Sequence, residues 1–275
     1  MKSLVTGAVA TLGLLLAPVA GTTIATAQPA SPHQPTAEAK QHGISRAGEA
    51  FMGWRQPTTA AATPSSMAPA ATVEGIDVSS HQGNVDWASQ WSAGKRFAYS
   101  KATEGNYYSN PYFGQQYNGS FNVGMIRGAY HFGTPNDSSG ANQANYFVDR
   151  GGAWSRDGKT LPGALDIEYN PYGATCYGLS QASMVSWIRD FLNTYKSRTG
   201  RDAVIYSNLD WWTRCTGNSP AFNATNPLWV AKYASTPGTL PGAWPFHTFW
   251  QYSSTPIDQN RFNGDQTRLV ALANG

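Results

Sequence analysis

The stretch LPGALDIEYNPYG, residues 161–173, decides how this chain is read. It begins apolar and ends polar and aromatic, and its two carboxylates, Asp166 and Glu168, are separated only by Ile167. A strand sends alternate side chains to opposite faces, so Asp166 and Glu168 share one face while Leu165 and Ile167 share the other. The same progression from apolar to polar recurs on both sides. Before it lies MIRGAYHFG (125–133), and after it AVIYSN (203–208). Further out stand VEGIDVS (73–79), RFAYSKATEG (96–105), LWVAKYA (228–234), HTFWQYS (247–253) and a weaker PIDQNRF (256–262), which makes up to eight strands.

Between several of these runs the periodicity changes from two to that of a helix. PYFGQQYNGSFNVG (111–124) and GANQANYFVDRGG (140–152) are two such segments. The strongest is SQASMVSWIRDFLNTYKSRTG (180–200), where Met184, Trp187, Ile188, Phe191, Leu192 and Tyr195 recur at helical spacing. Ser180 is its expected N-cap and Gly200 its expected stop. Strands alternating with helices over some 200 residues predict an α/β architecture, and eight strands predict a closed barrel of the TIM type.

In such barrels the working groups sit at the carboxyl ends of the strands. Nearly every run here ends in hydrogen-bonding or aromatic groups: Asp77, Lys101 with Glu104, Tyr130 with His131, Asp166 with Glu168, Tyr206, Trp229 with Lys232, Trp250 with Gln251, and Asp258. A common pocket of acids and rings suits a sugar, whose C–H faces stack on aromatics while its hydroxyls need polar partners. Two neighbouring carboxyls are expected to hold one proton between them near neutral pH, as glycoside hydrolysis requires. Composition agrees, with 13% aromatic and only 13% charged residues. A net charge of +3 offers no electrostatic footprint for nucleic acid.

The first residues have the form of an export signal: Lys2, an apolar run, then ATA ending at Ala27. Residues 1–27 are therefore expected to be a signal peptide, with the protein secreted, extracellular or wall-associated and free of the membrane after cleavage. Residues 28–72 are rich in Ala, Pro and Thr without an apolar period, which predicts a linker or pro-segment. For its one apolar patch, AFMGWR (50–55), the flanking composition favours a short exposed or transiently helical stretch over one whose rings dock on the domain or on the cell wall, and no function is assigned to it. The two cysteines, Cys176 and Cys215, are expected to form one disulfide in an exported chain.

GIDVSSHQGNVDW, SKATEG, GAYHF, LDIEYN, IYSN, LWVAKY and FWQYSS, in this order, resemble the glycoside hydrolase family 25 lysozymes, the Chalaropsis-type N-acetylmuramidases, over residues 73–275. The resemblance implies an irregular (β/α) barrel with fewer helices than strands, and cleavage of the β-1,4 bond between N-acetylmuramic acid and N-acetylglucosamine in the glycan strands of peptidoglycan. It implies neither metal nor organic cofactor, and we expect a monomer. By position, Glu168 matches the general acid and base. Asp166 matches the acid that orients the substrate's acetamido group, which serves as the nucleophile in a retaining mechanism. Asp77 and Asp258 match two further acids of the cleft. Tyr130, Tyr206, Trp229, Lys232 and Gln251 match substrate contacts, and Lys101 is grouped with them.

Each assignment has a plainer counterpart. Asp258 and Asp77 could cap the elements that follow them, His131 and His81 could be structural, and Lys101 with Glu104 could be a buried ion pair. A metal held by Asp77, His81 and Asp166 has no paired ligand spacing behind it. Two other functions compete. A chitinase-like barrel would carry D-x-x-D-x-D-x-E, but Ala164 stands where its second-last Asp belongs. A non-catalytic wall-binding module would keep the rings without the Asp166 and Glu168 pair.

Overall fold

The computed structural model describes residue 1, residues 33–56 and residues 72–275. The signal-peptide reading of residues 1–27, apart from residue 1, and part of the linker reading lie outside the described residues. The described residues from 33 onward belong to one compact unit. Its elements are α1 (Ala37–Gln41), β1 (Val73–Val78), α2 (Trp87–Ser92), β2 (Phe97–Glu104), β3 (Tyr108–Ser109), α3 (Phe113–Asn122), β4 (Ile126–Phe132) and α4 (Gly140–Phe147). These are followed by β5 (Ala164–Asp166), α5 (Gln181–Thr199), β6 (Val204–Ser207), α6 (Leu209–Thr216), β7 (Leu228–Ala231), β8 (Phe249–Ser253), β9 (Gln259–Phe262) and α7 (Gln266–Asn274).

All eight strand-like runs form strands, and they close into one barrel. The sheet runs β1, β9, β8, β7, β6, β5, β4, β2, and β1 pairs with β2 to shut the ring. The short β3 adds a ribbon to β2 outside it. The barrel is irregular because β9 is antiparallel to both β1 and β8, while the other neighbouring pairs are parallel. This reversal brings the start of β9, rather than its end, to the mouth where the other strands finish. Asp258 thus reaches the mouth by preceding an antiparallel strand, where the sequence suggested that it ends a run.

Period-two alternation assigns each strand residue to one of two cores. Phe97 and Tyr99 of β2, Val204 and Tyr206 of β6, and Trp229 and Ala231 of β7 point into the barrel and share a buried cluster with Phe249 and Phe262. Their sequence neighbours Ile205, Leu228 and Val230, with Leu165 and Ile167, form the outer cluster against Met184, Trp187, Ile188, Phe191, Leu192 and Tyr195 of α5. Each inward ring that closes the barrel floor removes a large apolar area from water. The strongest helical pattern therefore covers the strand that carries the acids.

Helix α5 starts and stops where its end residues predict. The Ser183 amide donates to Ser180 Oγ at 3.2 Å, and Gly200 adopts φ 75° with its amide on Lys196 O at 2.8 Å. The wall between the β5 exit and α6 is fastened by the disulfide Cys176–Cys215, with Cα atoms 5.3 Å apart. Helices α2, α6 and α7 were not legible beforehand. They are short and open on side-chain caps from Asp86, Asn208 and Asp265.

Residues 33–56 do not form an exposed linker. Ala50, Met52 and Trp54 of AFMGWR are buried, and Met52 joins the barrel-interior cluster with Tyr130, Tyr206 and Trp229. The expectation of an exposed patch fails because these side chains find a ready apolar partner at the barrel mouth, which composition around the patch cannot reveal.

Candidate active site

Strand β5 stops at Asp166, but its direction continues through Glu168. The Ile167 amide donates to Tyr206 O at 3.1 Å and Ser207 Oγ donates to Ile167 O at 2.9 Å, holding this exit against β6. Ile167 packs outward, so Asp166 and Glu168 both turn to the barrel axis as the alternation predicts. Asp77 enters from β1 and Asp258 from the start of β9, and all four acids interact electrostatically. They are sealed: relative exposure is 0% for Asp166 and Glu168, 1% for Asp77 and 6% for Asp258.

Burial is the main force on their protonation. It drives the Glu168 carboxyl up to about 8, against the Gly53 amide and the Asp166 hydroxyl, which favour its ionised form. Asp166 rises well above the usual range through burial and then through the negative charge of Glu168. No N–H donor among the described residues reaches either oxygen of Asp166. In the covered cleft desolvation adds to mutual repulsion, and both push these two carboxyls above their ordinary range.

Asp77 and Asp258 form a second pair. Burial raises Asp77 to about 6, restrained by donors from Asn260 and Gln251. Gln251 Nε2 donates to Asp77 Oδ2 at 2.9 Å, and Asn260 Nδ2 donates to the same oxygen at 2.6 Å. Burial, and then the Asp77 charge, raise Asp258 well above the usual carboxylate range, so the two titrate as a pair.

The rings and amides expected to meet substrate are also gathered here, with differences. Gln251 accepts from Tyr206 Oη at 2.6 Å and Tyr233 Oη at 3.2 Å, so it acts first as the holder of Asp77. Trp229 is fully buried and its Nε1 donates to Asn260 Oδ1 at 2.9 Å; in this conformation it supports the Asp77 network rather than a ligand. Tyr130 is fully buried beside Asp77, Asp166 and Asp258, with the Met52 backbone at its hydroxyl. Lys232 alone is exposed, on a cavity of about 600 Å³ that Tyr169, Asp210 and Arg55 also line.

Lys101 does form the plainer ion pair, with Glu104 Oε2 at 2.5 Å, and both are fully buried. It also donates to Gly48 O at 3.0 Å and to Ala50 O. His131 is structural: Thr103 Oγ1 and Gln143 Oε1 flank its ring nitrogens at 2.8 and 3.0 Å, and burial pushes it down to about 3. The His81 ring turns to Glu49 O at 2.6 Å, away from the acids. Asn260 was not singled out as a site residue by the sequence. Asn260 lies in the weakest strand run, and only the register that faces it to Gly75 and Gln251 reveals its place.

The family model of glycosyl hydrolases family 25 matches residues 76–260, which include every one of these acids. The chain belongs to this family. Among family 25 relatives, lysozyme M1 of Streptomyces globisporus is 50% identical over 82% of this chain and 82% of its own. The N,O-diacetylmuramidase of a Chalaropsis species is 50% identical over 74% of this chain and all of its own. The solved muramidase of Acremonium alcalophilum is 57% identical, with a TM-score of 0.73 over 74% of this chain and 99% of that one. Relatives that match nearly their entire length to three-quarters of this chain form the family 25 barrel without the rest of it.

Proposed function

We propose that this family 25 enzyme is a lysozyme, a 1,4-β-N-acetylmuramidase that hydrolyses the bond between N-acetylmuramic acid and N-acetylglucosamine in peptidoglycan. The observation that carries the reading is the Asp166 and Glu168 pair at the barrel mouth, with Glu168 holding its proton up to about 8. A carboxyl protonated at neutral pH can deliver that proton to a leaving glycosidic oxygen. The muramidase and lysozyme names of relatives at 50% identity support the substrate.

In this mechanism Glu168 protonates the glycosidic oxygen while the 2-acetamido carbonyl oxygen of the substrate attacks the anomeric carbon. Asp166 takes up the developing positive charge of the oxazolinium-like intermediate. Ionised Glu168 then removes a proton from water, which opens the ring with overall retention. Asp77, kept in place by Asn260 and Gln251, and Asp258 set the field around the pair. Lys232 and the rings of Tyr130 and Tyr206 line the glycan path, with Trp229 holding the Asp77 network behind them. Export, action on the wall outside the cell and a monomeric state belong to the same proposal, and no described helix is long and apolar enough to cross a membrane.

Digestion of purified wall, followed by mass spectrometry of the new reducing ends, tests it. Muramic acid at that end is expected, and glucosamine there would reassign the enzyme as a glucosaminidase. Glu168→Gln should retain the fold and lower turnover about 100- to 10,000-fold, the usual share of a general acid.

A further inference from the structure

The amide of Gly53 donates to Glu168 Oε1 at 2.7 Å. This bond engages the carboxyl that must face the glycosidic oxygen, and it comes from residues 33–56, ahead of the family 25 barrel. The same segment takes up other polar groups of the cleft. Lys101 donates to Gly48 O and Ala50 O, and Glu104 accepts from the Gly48 amide at 3.1 Å. Met52 fills the apolar mouth beside Tyr130, Tyr206 and Trp229.

Specific anchors hold the segment on both sides of this plug. Trp54 Nε1 donates to Tyr169 O at 2.9 Å, and the Arg55 guanidinium lies 4.7 Å over the Tyr169 ring. Phe51 packs edge-on to His81 at 4.7 Å, whose ring also holds Glu49 O. Upstream, the Thr36 amide donates to Pro171 O at 2.9 Å and His33 meets Asp137 at 2.9 Å. Two cavities border the segment, one lined by Arg55 and Gln56 and one by Phe51, Gly53, Trp54 and Gln56.

The fit is residue-specific. Gly53 has φ +74°, and a Cβ there would lie 2.5 Å from Tyr233 Oη, 2.6 Å from Gln251 Oε1 and 3.0 Å from Tyr206 Oη. Only glycine reaches Glu168 at that point. A polymer-cleaving site cannot work with all four acids sealed under its own chain. The match with lysozyme M1 spans 82% of this chain, more than residues 73–275 supply, so it runs into the residues before the barrel.

We propose that residues 33–56 are a built-in inhibitor that keeps the enzyme latent by occupying its glycan cleft and capping Glu168. The inference rests on the proposed role of Glu168 as the acid. Displacement or removal of the segment uncovers the acids and returns Lys101, Glu104, Tyr206 and Tyr233 to the substrate. Latency needs no tight intrinsic binding. A tethered segment acts at an effective concentration of about 1 mM, so a Kd of about 10 μM for the free peptide gives about 100-fold inhibition.

The experiment compares release of reducing ends from purified wall by the full chain, the full chain with Gly53→Leu, and the domain 73–275, whose counterparts form the barrel alone. The full chain should be about 100-fold slower than the domain, and Gly53→Leu should restore the domain's rate. Peptide 33–56 added to the domain should inhibit competitively, and the peptide with Gly53→Leu should not. Equal rates for the full chain and the domain would overturn the proposal, as would a Gly53→Leu chain no faster than wild type, the deciding result if the domain fails to fold. Glu168→Gln in the active form separates the two readings: undiminished turnover would remove Glu168 as the acid while leaving measured latency intact, and an active full chain would remove latency while leaving the acid intact.

Discussion

Asn260 and Asp77, 183 positions apart in the chain, are joined by a 2.6 Å hydrogen bond from Nδ2 to Oδ2. The bond exists because β9 runs antiparallel beside β1, with Asn260 opposite Gly75. Trp229 fixes the amide from its other side, at Oδ1, and so determines which way it faces. A carboxyl as buried as Asp77 stays near 6 because Asn260 and Gln251 donate to its charged form.

Asn260→Ala should therefore raise the Asp77 pKa above about 6. One buried hydrogen bond to a charge contributes about 1.5–3 kcal/mol, equivalent to about 1–2 pH units. Carbon NMR titration of the Asp77 carboxyl measures it, and an unchanged or lower value would show that the bond does not govern this group.

Asp166→Asn should reduce turnover about 100- to 1000-fold, in line with loss of one transition-state stabiliser. Proton NMR of fresh product from the wild-type enzyme should show the β anomer first. An initial α anomer would indicate an inverting route and would remove the proposed role of Asp166, without touching that of Glu168.

The pH dependence of stability follows from the direction of the shifts. Glu168 moves from 4.5 to about 8 and so binds its proton more tightly folded than unfolded. Below about pH 4 both states hold the proton and this stabilising contribution is fully present. As pH rises the unfolded chain releases a proton that the folded chain keeps, so the contribution declines and is lost through about pH 8. Asp77, moved from 3.8 to about 6, acts in the same direction over a narrower range. Asp166, Asp77 and Asp258 interact with Glu168, and Glu168→Gln removes a charge that raises Asp166 and Asp258, which moves their contributions toward the unfolded values as well. The melting temperature of the wild-type full chain minus that of Glu168→Gln should fall between pH 4.5 and 8. A difference that grows over this range would contradict the assignment.

The disulfide closes 39 positions of chain, which the loop-entropy relation values at about 4 kcal/mol. Paired Cys176→Ser and Cys215→Ser substitutions should lower the denaturation midpoint accordingly while leaving turnover at 25 °C nearly unchanged. Loss of activity in a folded double variant would place this wall in the reaction.

What the sequence determined by itself was what is local or periodic. Asp166 and Glu168 are two positions apart, so the pleat alone sends both to one face, and the alternation along Val204–Ser207 or Leu228–Ala231 reports which side chains point inward. Helix α5 carries its own face, cap and stop within Ser180–Gly200. The tertiary structure decided what depends on partners distant in the chain. The reversed β9 brings Asn260 to Asp77 and makes Asp258 precede its strand, a matter of pairing that no run of seven residues encodes. It also decided the fate of AFMGWR. Six residues without a period look the same exposed or buried, and Met52 and Gly53 become meaningful only when the mouth formed by Tyr130, Tyr206, Trp229 and Glu168 supplies the complementary surface.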